Sequence, residues 1–153
     1  MALIREQRAR ALRDAAAEVL SVDHLSTEQL ETLLSRAGRV NGPALLFDAW
    51  PGRKISRETL AAVIGDVWSS AEYPEPTLGR RNWVHLFREA GYTADGEPAE
   101  RPANALTLYR GAPYRLRRRM SWTAELARAE WFAERYNSLH PETPGAVWVA
   151  TVP

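Results

Sequence analysis

The sequence predicts an α+β protein, a helical N-terminal part followed by a small mixed part. Three observations predict it. Up to residue 90, apolar residues recur at helical spacing between cap and stop signals. Residues 93–103 are polar and proline-rich. Beyond them the pattern changes to short alternating, β-rich runs at 105–110 and 146–152 around one helical stretch. We therefore read 1–92 as the helical part, 93–103 as a linker and 104–153 as the mixed part.

Residues 3–20 form an amphipathic helix, weakly patterned because alanine is common. Ser26-Thr27-Glu28-Gln29 is a capping box that starts a second helix, with Leu30, Leu33 and Leu34 as its apolar stripe and Gly38 as its stop. Residues 38–54 are expected to be irregular, because Gly42-Pro43 and Pro51-Gly52 are turn signals. Ser56 caps a third helix to about residue 69, burying Leu60, Val63, Ile64 and Val67. Pro74 and Pro76 break the chain. A fourth helix over 78–90 buries Trp83, Leu86 and Phe87, and Gly91 closes it.

In the mixed part, 105–110 is a strand, 112–118 a loop or short turn, and 119–123 a second short strand. Thr123 is expected to cap a helix over 124–136, where Leu126, Ala129, Trp131, Phe132 and Ala133 form a core face. Residues 140–145 make a loop, and 146–152 a last strand with Trp148 in the core.

Composition bounds the function classes. A chain of 153 residues, 45% hydrophobic and 25% charged, reads as an ordinary globular protein. It has no cysteine, which removes disulfides, thiolate zinc sites and cysteine nucleophiles. His24, His85 and His140 lack ligand spacing, so no metal site is assigned. No glycine-rich phosphate loop and no Gly-x-Ser-x-Gly elbow occur. The first twenty residues are charged throughout, without the apolar stretch of a signal peptide or membrane span, so a cytoplasmic protein without membrane contact is expected. The net charge of +1 hides an asymmetry. Residues 101–153 hold eight arginines against four glutamates, whereas the first hundred hold 12 basic and 15 acidic groups. A basic C-terminal part points to an anionic ligand.

The chemistry-bearing residues gather between 106 and 123. Arg110 ends a strand and precedes Gly111, where a ligand or another backbone can approach closely. It reads either as a clamp for phosphate oxygens or as a solvated strand-end arginine. On a strand, Ser121 and Thr123 share one face and Trp122 takes the other. The two hydroxyls read either as a polar floor for a ligand or as a strand residue and a helix cap. Arg115, Arg117, Arg118 and Arg119 lie in a stretch, 101–120, that holds six arginines and no acid. Such a loop suits the phosphates of a nucleotide, a nucleic acid or an acidic protein surface, or is a solvated face.

The order Leu-Tyr-Arg-Gly at 108–111, Met-Ser-Trp-Thr at 120–123, Ala-x-x-Trp-Phe-Ala at 128–133 and Val-Trp-Val-Ala-Thr-Val at 147–152 resembles the ADP-ribosyltransferase superfamily of the arginine–serine–glutamate type. It is most similar to short bacterial and phage proteins of that pattern. The resemblance covers the third of the chain after the linker. It implies NAD as substrate, with Arg110 on the phosphates and ribose, and Ser121 and Thr123 supporting the nicotinamide–ribose pocket. Tyr114 is the aromatic that would stack on the nicotinamide. It also implies transfer of ADP-ribose to a protein or nucleic-acid acceptor. The family's catalytic glutamate lies on a later strand. This chain ends at Pro153, directly after the strand that should precede it, and Glu142 is its last acid. The catalytic residue is therefore unknown, and whether the chain is an enzyme is left open. The expectation is a mixed part that is incomplete, one that binds without catalysing, or one in which Glu125 or Glu130 of the helix substitutes.

Two other readings stand beside this one. The first is a non-catalytic binding module, such as a phage or defence-related inhibitor, whose basic loop contacts protein or nucleic acid. The second is a virion or other structural subunit that assembles through tryptophan-rich faces.

Overall fold

The computed structural model describes residues 2–153, without the side chains of Ala2, Ile4, Arg5 and Arg8. Its elements are those of an α+β protein, with helices first. The chain divides into two compact units, one reaching to Glu100 and the other comprising Arg101–Pro153.

The first unit holds six helices: α1 (Ala2–Ser21), α2 (Thr27–Ala37), α3 (Gly42–Ala49), α4 (Arg57–Ser70), α5 (Pro74–Leu78) and α6 (Arg80–Ala90). The expected capping box forms. Ser26 Oγ accepts the Gln29 N–H at 3.2 Å, and Gln29 Oε1 accepts the Ser26 N–H at 2.9 Å. Ser56 Oγ accepts the Thr59 N–H at 3.1 Å and starts α4 in the same way. The core joins Val19, Leu30, Leu33, Leu45, Leu46, Leu60, Ile64, Trp83 and Leu86 from five helices, all fully buried. Trp83 donates its indole N–H to the Pro74 carbonyl at 2.6 Å and meets Trp68 edge-to-face with ring centroids 4.9 Å apart. Burial of this ring therefore leaves its polar atom satisfied.

Four expectations for this unit are corrected. Residues 38–54 are not all irregular, because α3 occupies their middle. Gly42-Pro43 begins a helix rather than a turn: a proline in the first turn lacks only an N–H that would find no intrahelical acceptor. Apart from the exposed Asp48 the helix is apolar and largely buried, so it shows little amphipathic signature. Pro74 and Pro76 do not simply break the chain. Both sit in the first turn of α5, where proline is tolerated. The last helix starts at Arg80 rather than 78, because Gly79 takes φ 80° between α5 and α6. The linker is partly structured: β1 (Thr93–Ala94) and β2 (Glu97–Pro98) pair antiparallel around Asp95 and Gly96, at φ 50° and 83°. Asp-Gly is the usual pair for such a turn, and the hairpin packs on α4.

The second unit contains β3 (Leu106–Pro113), a 3₁₀ turn (Tyr114–Leu116), α7 (Leu126–Leu139) and β4 (Gly145–Val152). β3 and β4 pair antiparallel from Leu106↔Val152 to Pro113↔Gly145. α7 crosses the face of this ribbon that carries Tyr109, Gly111 and Pro113. A Cβ on Gly111 would collide with the Ala129 carbonyl and lie 2.6 Å from the Ala133 nitrogen. Gly111 thus admits another backbone, that of α7.

Here too the structure differs from expectation. The strand expected over 119–123 is reduced to one bridge, Tyr109↔Thr123. The helix begins at Leu126 rather than 124, and Thr123 does not cap it. Its Oγ1 instead accepts the Glu125 N–H at 3.1 Å. Trp131 and Phe132 are not core: they are 53% and 50% exposed and stack edge-to-face on each other. The contact face of α7 is Ala129 and Ala133, because only small residues fit where the helix backbone touches Gly111. The two rings project away from that face. Trp148 is half-buried rather than core.

Candidate functional site

The site is built on β3. Alternation along the strand sends Leu108, Arg110 and Ala112 to the face opposite α7. Directly opposed residues of an antiparallel pair share a face, so Trp148 stands beside Arg110 there. The chain after β3 folds back over this face. Tyr114 meets the Trp148 ring edge-to-face at 5.8 Å, and Trp148 donates its indole N–H to the Ala112 carbonyl at 2.7 Å. The Arg117 guanidinium lies 3.5 Å over the Tyr114 ring, and one of its N–H groups bonds the Tyr114 carbonyl at 2.8 Å. Tyr114 itself is 65% exposed.

Arg110 is half-buried and orders the loop that follows. Its Nε donates to the Leu116 carbonyl at 3.0 Å, and a terminal N–H donates to the Ser121 carbonyl. The guanidinium therefore spans the loop from one side to the other. The Ser121 side chain is exposed next to it. Thr123 lies elsewhere. Its partner Tyr109 belongs to the α7 face, so the Thr123 hydroxyl turns to that face and holds the entry to α7. Arg110 thus meets the main chain of Ser121, while the Thr123 side chain takes the opposite face of the sheet from Arg110.

The four loop arginines do different things. Arg117 stacks on Tyr114. Arg115 bonds the Tyr136 hydroxyl at 3.2 Å, and that bond raises its pKa further above the ordinary guanidinium value. Arg118 and Arg119 are exposed, and the Arg119 carbonyl accepts the Trp122 indole N–H at 2.8 Å. The acids of this unit are Glu125, Glu130 and Glu134 on α7 or at its start, and Glu142 beside His140 at 3.7 Å. Glu125 faces Arg128 at 3.5 Å. Among the described residues no three His, Asp or Glu side chains gather as a metal site, and no helix is long and apolar enough to cross a membrane.

Two participants escaped the sequence reading: Trp148 as the aromatic wall, and the Leu116 carbonyl as a partner of Arg110. Trp148 carried a signal in the alternation of its strand. Placing it opposite Arg110 requires the register between β3 and β4.

Comparison with family models, with curated proteins and with solved structures finds no match.

Proposed function

We propose that the second unit binds NAD as an ADP-ribosyltransferase-like domain, on the face of β3 that carries Arg110. The observation that carries this reading is the Tyr109–Thr123 bridge, which sets the Ser121 segment alongside the strand of Arg110. The Arg110 guanidinium thus reaches the main chain of the exposed Ser121, and the Tyr114 ring stands against Trp148, the residue opposite Arg110. The pyrophosphate takes the Arg110 guanidinium, exchanging a neutral carbonyl partner for charged oxygens, which make the stronger bond. The Ser121 hydroxyl meets the ribose, and Tyr114, already stacked by Arg117, offers a face to the nicotinamide. Thr123 acts as a positioning residue that fixes the entry to α7. If the domain is active, the nicotinamide–ribose bond breaks and ADP-ribose passes to a protein or nucleic-acid acceptor. No carboxylate of this chain is assigned to that step, and the proposal for this chain is binding.

Isothermal calorimetry with NAD tests the reading. The expected result is saturable binding by the wild type, weakened about 5-fold in Ser121→Ala and about 10-fold or more in Arg110→Lys. Ser121 makes no side-chain bond that stabilises the loop, so its loss reports on ligand rather than on folding. Absence of saturable heat in the wild type, or equal affinity in both variants, overturns it.

A further inference from the structure

The helical unit carries more acid than base, yet five of its arginines line two adjoining hollows. α6 places Arg81, His85 and Arg88 along one stripe, with Arg80 in the first turn, and these residues line a hollow of about 840 Å³ whose opposite wall is Phe47 and Pro51. None of the residues lining it is acidic. A second hollow, of about 520 Å³, meets the first at Pro51 and His85 and adds Trp50, Arg53 and Arg57. Its one carboxylate, Glu89, is taken by Arg57 at 2.9 Å. Arg53, Arg80, Arg81 and Arg88 are exposed and pair with no carboxylate among the described residues. The start of α6 adds to this field. Its N-cap is Gly79, so no side chain caps the N–H groups of the first turn, which lie where Arg80 and Arg81 stand.

We infer that this face of the helical unit binds the phosphodiester backbone of a nucleic acid. Its charge and its length both complement that backbone. From Arg81 to Arg88 the helix rises about 10 Å, the axial distance of about three base pairs of duplex. Four guanidiniums and an open helix start then meet successive phosphates, and guanidinium is the side-chain group best shaped to grip phosphate oxygens. Contacts of this kind position a polyanion without reading its sequence. The surface belongs to the helical unit and does not depend on the NAD reading of the second unit.

Fluorescence anisotropy of the full chain with a labelled 20-base-pair duplex, and with one of its strands, tests the inference over a salt series. The expected result is binding to at least one of them that weakens steeply with salt, with a log–log slope of about −3.6 for the duplex. Arg81→Glu/Arg88→Glu lowers affinity about 30-fold or more, and Arg88→Gln flattens the slope by about one. Arg13→Glu, a single charge reversal on α1, stays within about 2-fold. Circular dichroism of each variant confirms the fold, and the milder Arg88→Gln keeps the test decisive if the double variant misfolds. The inference is overturned if neither probe binds, or if binding survives the α6 changes and is lost in Arg115→Ala/Arg118→Ala. Binding to vesicles containing phosphatidylserine but to neither oligonucleotide overturns it as well.

Discussion

Arg110 holds two main-chain carbonyls, of Leu116 and Ser121, so its substitution by alanine loosens the loop as well as removing a charge. This is why the ligand-binding role is better read from Ser121 and from Arg110→Lys. A second residue whose surroundings fix its behaviour is Glu58, in the first turn of α4. Its own backbone N–H and the Ser56 hydroxyl both bond the carboxylate and hold its pKa below the ordinary value. A carboxylate lowered in the folded state contributes stability above its unfolded pKa and loses it as pH falls through the folded one. The thermal midpoint should therefore fall as pH drops from about 5 to about 3, and Glu58→Gln should flatten that decline. An unchanged pH profile in the variant would contradict this assignment.

At the scale of elements, the second unit turns on the contact of α7 with Gly111. Gly111→Ala should destabilise it by about 3 kcal/mol, because the added methyl meets backbone atoms of α7 that cannot rotate away. Urea unfolding followed by tryptophan fluorescence measures this, and a change below about 0.5 kcal/mol would show that the helix does not sit there. The same contact explains what the sequence concealed. Caps were legible because they are local: Ser26 to Gln29 and Ser56 to Thr59 lie within one turn. α3 was not, since a short, largely buried helix whose one charged residue is Asp48 has no polar face to create a period. Asp95-Gly96 was a readable hairpin signal hidden within a proline-rich stretch. Trp131 and Phe132 misled because apolar character alone does not choose which face of a helix is buried. Ala129 and Ala133 win that contact by being small.

For the molecule as a whole, charge divides the chain into two surfaces with separate proposed ligands. The α+β class and the order of its parts were visible in the change of periodicity near residue 100. The site was only half visible. Arg110, Tyr114 and Ser121 stand out by residue type, and their juxtaposition depends on a single bridge 14 residues apart in sequence. The wall supplied by Trp148 depends on a register that spans 38 residues. Neither can be read from local pattern, because both follow from how the strand pairs. The separation of Thr123 from Arg110 has the same origin, since pairing with Tyr109 fixes its face.

The most direct test follows amide resonances of the ¹⁵N-labelled protein as NAD is added. The account predicts saturable shifts concentrated at residues 109–123 and at Trp148, with Leu116 and Ser121 among the largest as their carbonyls lose the Arg110 guanidinium. Shifts confined to the helical unit, or no shift at millimolar NAD, would contradict it.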